Sequence, residues 1–237
     1  MKPSSAKMIC GVAVCLFATL FSPVILAGVV LDGTRVIYPA DKRDITVKVT
    51  NMGKRAVLIQ SWLDNGESEA APDKIITPFM LTPPINRVES NKAQSLRISA
   101  VSTSSLPQDR ESVFWLNVLE IPAKPEKGQA VENYLQMAIR TRVKLFYRPT
   151  TLNIRAPEAA KSLIWSISGN QLSVNNPSPY YISLTDVTIN GKKTEVDMVY
   201  PKSSRSFNIS GVNRSNTLKA AWIDDYGARR EQSFSVN

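Results

Sequence analysis

The chain has 237 residues, of which 29 are lysine or arginine, 20 are aspartate or glutamate and none is histidine, giving a formal net charge of +9 at pH 7. The absence of histidine excludes Ser-His-Asp and Cys-His catalysis and histidine-ligated zinc. Since the sequence also lacks a dinucleotide motif, a phosphate-binding loop and a calcium loop, we expect no cofactor, no metal and no use of ATP. The basic surplus suggests an acidic partner, but no dense basic run interleaved with aromatic residues points to nucleic acid.

The first 27 residues have the layout of a secretory signal peptide. Lys2 and Lys7 precede an apolar stretch at residues 8–26, and Ala27 places a small residue at the expected cleavage position. A membrane anchor is the alternative, because the stretch is nearly long enough to span a bilayer. Pro23 interrupts the stretch near its end and disfavours the anchor. We therefore predict export and cleavage after Ala27.

Cleavage would leave 210 residues with a net charge of +7 and would remove Cys10 and Cys15, the only cysteines of the chain. The mature protein could then form no disulfide, so its stability would have to come from a hydrophobic core. Its length suits two immunoglobulin-like (Ig-like) domains of about 100 residues each.

Short β-rich runs separated by turn residues follow the signal and predict an all-β protein. Residues 45–50 and 56–62 are examples in the first half, and no sustained helical pattern interrupts them. The polar stretch 123–133 predicts a mobile loop. In the second half the predicted strands lie at 163–167, 171–174, 181–184, 187–189, 206–209 and 220–223, with a turn at Asn190-Gly191.

One run, residues 135–148, is unusually long for a strand. It alternates apolar side chains with basic ones, the apolar set being Leu135, Met137, Ile139, Val143, Leu145 and Tyr147 and the basic set Arg140, Arg142, Lys144 and Arg148. Strands normally have about 5 or 6 residues. The run is therefore either two consecutive core strands of one sandwich or a strand that pairs with another polypeptide by β-augmentation.

Pro149 ends this run, because proline offers no backbone donor to a central strand. We accordingly predict a signal peptide at 1–27, a first domain at 28–149 and a second domain at 150–237.

Six stretches of the chain, taken in order, resemble the periplasmic chaperones of the chaperone–usher pilus pathway. They read TRVIYP at 34–39, TPP at 82–84, LPQDRESVFWLN at 106–117, KLFYRP at 144–149, NPSPYY at 176–181 and IDDYG at 223–227. The stretch at 106–112 is the most specific of them, and the match covers essentially the whole mature chain.

The resemblance implies two Ig-like β-sandwich domains in a boomerang arrangement, with a pilus (fimbrial) subunit bound in the cleft and along the first domain. It implies a binding protein and not an enzyme, located in the periplasm of a Gram-negative bacterium, that completes the fold of the subunit, caps it and delivers it to an outer-membrane usher. The short loop before the long strand resembles the subgroup associated with rod-like pili.

The resemblance also assigns roles to single residues. Arg35 and Lys144 would hold the C-terminal carboxylate of the subunit, a task that suits two converging cations. The side chains of Leu135, Met137 and Ile139 would be lent to an apolar groove of the subunit. Glu111, Arg148 and Asp225 would form a buried charge network between the domains.

Two other functions are compatible with the composition. One is a secreted two-domain carbohydrate-active protein that uses carboxylates, and the other is an adhesin-like fibre subunit. A fibre subunit would lack a self-complete sandwich and would usually contain a disulfide, which the mature chain cannot form.

Overall fold

The computed structural model of the protein describes residues 28–123, 136–209 and 217–236. The predicted signal peptide, almost all of the predicted loop at 123–133 and Leu135 lie outside the described residues. Within the described ranges, the helices are all too short or too polar to cross a bilayer.

The described residues of the first half fold into nine strands, with a 3-10 turn at Pro72–Lys74. The strands are β1 (Val29–Leu31), β2 (Arg35–Pro39), β3 (Asp44–Asn51), β4 (Val57–Asp64), β5 (Phe79–Thr82), β6 (Ile85–Val88), β7 (Ala93–Ala100), β8 (Ser112–Pro122) and β9 (Ile139–Arg148). One sheet has the order β1-β3-β7-β5 and the other the order β2-β9-β8-β4-β6. The pairing of β2 with β9 is parallel.

Alternation along the strands explains how these two sheets pack. In β8 the side chains of Phe114, Leu116 and Val118 point inward and are buried, and Val49 and Leu96 of the other sheet join the same hydrophobic cluster. Because successive side chains of a strand face opposite sides, a shift of one residue would move this whole set to solvent. The first half is therefore a sandwich with its own core.

The described residues of the second half form a second sandwich. A short helix α1 (Ala156–Ala159) and a 3-10 turn at Ala160–Ser162 precede the strands β10 (Ile164–Ser168), β11 (Gln171–Asn176), β12 (Leu184–Ile189), β13 (Lys192–Glu195), β14 (Ser203–Asn208), β15 (Thr217–Ile223) and β16 (Arg229–Ser235). The sheets have the orders β10-β11-β14 and β13-β12-β15-β16. Trp165 and Leu172 of one sheet and Val187 and Ala220 of the other lie in one buried cluster. Three strands against four is the arrangement of a constant-type Ig domain.

The strand predicted at 181–184 is wrong in part. Leu184 begins β12, whereas Ile182 makes only an isolated bridge to Val199. The backbone N–H of Tyr181 donates instead to the carboxylate of Glu111 in the first sandwich, at 2.9 Å. A donor used in this way is not available to a sheet ladder, so the segment serves the contact between the two sandwiches.

The junction between the sandwiches is built around the guanidinium of Arg148, the last residue of β9. Its Nε donates to Glu111 at 2.7 Å, and its two terminal nitrogens donate to the carboxylate of Asp225 at 2.8 and 3.0 Å. The Glu111 side chain is 2% exposed. The structure thus brings together the three charged residues that the resemblance assigned to an interdomain network. The predicted division at 149–150 falls between the end of β9 and the start of α1, and it stays a prediction.

Burial sets the energetics of this network. Burial raises the pKa of the Glu111 carboxyl, although Arg148 and the N–H of Tyr181 favour its charged form. The desolvation of such groups offsets much of their attraction, so their main effect is to fix how the two sandwiches meet. The loss of one member is nevertheless costly, because it leaves another buried charge without a partner.

We predict that Arg148→Ala lowers the midpoint of thermal unfolding by roughly 5 °C or more, because the buried Glu111 carboxylate loses its counter-charge. Circular dichroism melting measures the change, and small-angle scattering reports the arrangement of the two sandwiches. Arg110→Ala is the matched control, since Arg110 forms an exposed pair with its neighbour Asp109, and its midpoint should equal that of the wild type. An unchanged midpoint and an unchanged scattering curve for Arg148→Ala would contradict the network.

Candidate functional site

Two cations lie side by side where β2 meets β9. In the parallel register Arg35 is opposite Lys144, so the two side chains leave the same face of the sheet about 5 Å apart. A terminal nitrogen of Arg35 donates to the carbonyl of Ile223 in the second sandwich at 2.8 Å, while its buried Nε has no partner. The Lys144 ammonium has no hydrogen bond or ion pair with any residue that the structure describes. Both cations of the pair therefore have donors that no described residue uses.

The electrostatic surroundings leave this pair under-compensated. Burial lowers the pKa of the Arg35 guanidinium, and the carboxylates of Asp225 and Asp224 oppose the shift. Burial also lowers the pKa of the Lys144 ammonium, and the neighbouring Arg35 lowers it further against the pull of Asp197. Two half-buried cations that repel each other are stabilised when an anion binds between them.

Part of β9 has a free edge beside these cations. The strand β8 pairs with β9 from Ile139 to Tyr147, but β2 pairs with it only from Lys144 to Arg148. Among the described residues, no strand covers the second edge of residues 139–143. Backbone N–H and C=O groups on such an edge can pair with another chain.

The inner face of β9 changes character along its length. Leu145 and Tyr147 are buried in the core of the first sandwich, with 0% and 4% of their surface exposed. On the same face Ile139 is 55% exposed and Met137, just before the strand, is 63% exposed. The apolar stripe therefore extends beyond the core of its own sandwich. Leu135, the third side chain predicted to be lent, lies outside the described residues.

This geometry decides between the two interpretations of the long run. Two consecutive core strands would bury Met137 and Ile139, and the structure instead shows one strand from Ile139 to Arg148 with both side chains exposed. The core interpretation is therefore wrong for this end of the run, although it holds for Leu145 and Tyr147.

Sequence reasoning missed one buried carboxylate, which contacts the outer face of β9. Asp64, at the end of β4, has a side chain only 1% exposed and accepts two hydrogen bonds from Arg142, at 2.6 and 2.9 Å. The sequence did contain one indication. Basic residues accumulate at alternate positions of the long run, so some of them were expected to pair with acidic residues. Nothing in the sequence indicated that Asp64, 78 positions away, supplies one.

A cleft adjoins Arg35, one of the two cations. Arg35, Arg148 and Tyr181 line a cleft of ≈ 740 Å³ between the two sandwiches. Within the described residues there is no group of three or more acidic side chains placed to hold a metal ion.

The arrangement of cations, free edge and exposed apolar stripe is suited to binding an extended polypeptide with a free carboxylate.

Known proteins share this architecture and sequence. The chain matches two family models, the pili and flagellar-assembly chaperone PapD N-terminal domain over residues 28–153 and the pili assembly chaperone PapD C-terminal domain over residues 158–234. It is 41% identical over 223 residues to the probable fimbrial chaperone YadV of Escherichia coli K12, with 89% of this chain and 91% of that protein covered. It is 42% identical over 205 residues to the chaperone protein MrkB of Klebsiella pneumoniae, covering 84% and 88%.

A solved complex gives the structural comparison. The SafB chaperone of Salmonella enterica, in complex with the SafA pilin, superposes with a TM-score of 0.77 at 29% identity, covering 90% of this chain and 98% of that one. The family resemblance and the fold of two Ig-like β domains are therefore confirmed, while the boomerang arrangement stays a prediction. Carrying both PapD domains in order, the chain belongs to the family of pilus-assembly chaperones.

Proposed function

We propose that this protein is a periplasmic chaperone that binds a fimbrial subunit by lending it the open half of β9 and then delivers it to an outer-membrane usher. The observation that carries the proposal is the free edge of residues 139–143, bordered by exposed Ile139 and by the Arg35–Lys144 pair. Its relatives are fimbrial chaperones, and SafB was solved in complex with a pilin.

The register of β2 supports the role of the two cations. A subunit strand lying parallel to β9 along residues 139–143 would occupy the edge that β2 occupies further on. Such a strand would end where β2 begins, at Arg35 opposite Lys144. Its last residue would therefore present its carboxylate to the two cations, which supply charge-assisted hydrogen bonds.

The exposed stripe supports the lending of side chains. Met137 and Ile139, together with Leu135 if the alternation continues, would enter an apolar groove of the subunit, while the strand edge supplies ladder hydrogen bonds. Burial of each aliphatic side chain contributes about 1.5–3 kcal/mol before ordering costs. Binding of this kind requires no external energy source.

The location is proposed from the sequence, and delivery to an usher is proposed from the family to which the chain belongs. Lys2 and Lys7 before an apolar stretch favour export with removal of residues 1–27, and the matched domains begin at residue 28. The rival interpretation as a fibre subunit is disfavoured because, within the described residues, each sandwich has two sheets packed over a buried core of its own. No observation favours a carbohydrate-active site.

Isolation of the tagged full chain from the periplasm of its native cell tests the proposal as a whole. We expect a small pilin-like protein in equal ratio, and a mature N-terminus at Gly28. Recovery of the protein alone from fimbriated cells, or of a full-length cytoplasmic form starting at Met1, would contradict the proposed function.

The carboxylate site gives a sharper prediction. Arg35→Ala or Lys144→Ala should weaken subunit binding by roughly 2–5 kcal/mol, because one half of a buried carboxylate contact is removed. Free Lys144→Ala should melt like the wild type, since the Lys144 ammonium has no hydrogen bond or ion pair to lose among the described residues. Free Arg35→Ala should stay folded but melt slightly lower, because it also loses the hydrogen bond to the carbonyl of Ile223. Surface plasmon resonance with the co-purified subunit measures the change. Arg87→Ala, which removes an exposed cation paired with Glu89, is the control, and equal affinities for all variants would remove Arg35 and Lys144 from the site.

The lent strand gives another prediction. Ile139→Asp or Met137→Asp would place a carboxylate in an apolar groove, at a cost of several kcal/mol if it is fully buried. Subunits should then aggregate or be degraded in the periplasm, while the free chaperone stays folded because both positions are exposed.

Gln136→Asp is the matched control, because Gln136 has the opposite parity and is also exposed, and the variant loses only an exposed hydrogen bond to the carbonyl of Pro122. Circular dichroism of the free variants and co-purification of the subunit are the two measurements. A folded Ile139→Asp variant that captures the subunit normally would exclude the lending of this side chain, and an unfolded one would show that Ile139 belongs to the core.

A further inference from the structure

The open half of β9 is held from its outer face by residues that the proposed function does not use. Residues 139–143 pair with β8 along one edge only, so this half of the strand lacks the second ladder that normally fixes a strand in a sheet. The side chains of Arg140 and Arg142, on the face opposite Ile139, reach back to β4 and to the loop that follows it.

The contact of Arg142 is buried and made by several groups. Its Nε and one terminal nitrogen donate to the two carboxylate oxygens of Asp64 at 2.9 and 2.6 Å. The same carboxylate accepts from the side chain of Asn117 and from the backbone N–H of Gly66, each at 2.7 Å. The guanidinium also lies 4.6 Å above the ring of Trp115. Arg142 is therefore held by the carboxylate of Asp64 and by the ring of Trp115. Asp64 is held in turn by Asn117 and Gly66.

The charge state of Asp64 agrees with this arrangement. Burial alone would raise the pKa of the Asp64 carboxyl, but the hydrogen bonds from Arg142, Asn117 and Gly66 outweigh that effect and hold the pKa below its usual range. The carboxylate is therefore charged at neutral pH, and it faces a cation whose own position is fixed by Trp115.

The contact of Arg140 is weaker and provides a comparison. It donates to the carbonyl of Ser68 at 2.7 Å and pairs with Glu69 at 3.5 Å. The Glu69 side chain is 89% exposed, and exposed pairs of this kind contribute little. Asp64 is therefore the acidic residue able to restrain the open half of β9.

We propose that Asp64 is a positioning residue for subunit capture, acting through Arg142 to hold residues 139–143 extended before a subunit arrives. A strand that is already extended loses less conformational freedom when another chain pairs with it, so the restraint raises affinity without touching the subunit. This role rests on the proposed function, since it has a purpose only if the open edge receives another chain.

Amide hydrogen exchange on the free full-length chain tests the restraint without any subunit. In Asp64→Asn, the amides of 139–143 that β8 protects in the wild type should exchange about tenfold faster, the change that a loss of about 1.4 kcal/mol in local stability produces. Amides of 145–148 and of the second sandwich should keep their wild-type rates. Glu69→Gln, which removes one negative charge from the exposed contact to the same strand, should change none of them.

Affinity for the subunit that co-purifies with the wild-type protein is the second measurement. Asp64→Asn should bind it about tenfold more weakly, and Glu69→Gln should bind it like the wild type. If Asp64→Asn does not fold, the double variant Asp64→Asn, Arg142→Gln carries the same test, because it leaves no buried charge without a partner.

The outcomes separate this inference from the function on which it rests. Unchanged exchange at 139–143, faster exchange throughout the first sandwich, or wild-type affinity would each overturn the positioning role in a protein that still captures subunits. A wild-type protein that captures no subunit would overturn the proposed function, and the role of Asp64 with it.

Discussion

The parallel pairing of β2 with β9 stops at Lys144, and most of what is distinctive in this protein depends on that limit. On one side of it, β9 is a central strand with neighbours on both edges and a buried inner face. On the other side, the same strand continues with one neighbour and an exposed apolar face. Because β2 begins with Arg35, the point at which the edge becomes free is also the point at which two cations meet. A ladder end, a free edge and a pair of neighbouring cations thus arise from a single register.

The basic side chains on the outer face of β9 are chemically similar, but their positions along the strand give them different surroundings. Arg148 lies at the junction and is neutralised by Glu111 and Asp225 from the two sandwiches. Arg142 is neutralised within the first sandwich by Asp64. Lys144 lies between them, half-buried, with no ion pair among the described residues. The carboxylate of Asp197 attracts this ammonium without pairing with it, so Lys144 keeps donors that no described residue uses, whereas Arg142 and Arg148 donate to carboxylates.

The sequence predicted the alternation, and with it much of the architecture. Period-two patterns located most of the strands, and Asn190-Gly191 marked the turn between β12 and β13, where both residues have positive φ values of 50° and 78°. The pattern could not predict the point along β9 at which the inward-facing side chains stop being buried. Ile139 and Leu145 face the same side of the strand and have similar hydrophobicity, so nothing in the sequence distinguishes them. That limit is set by the length of β2, a neighbour more than 100 positions earlier in the chain. Asp64 and Arg142 were equally inaccessible, because their contact depends on the register of three strands, β4, β8 and β9.

The separation of core and free edge along one strand has a consequence for stability. An exposed apolar edge normally promotes aggregation, and a protein that keeps one must fold without it. Here the core is complete at Leu145 and Tyr147, and the junction is fixed at Arg148, all on the paired side of Lys144. On the open half, Val143 is partly buried and packs against the first core cluster, whereas Ile139 and Thr141 belong to neither cluster of the described residues. The fully buried inward-facing side chains of β9 therefore lie on its paired half, and exposure of the apolar side chains increases from Val143 to Ile139 along the open half.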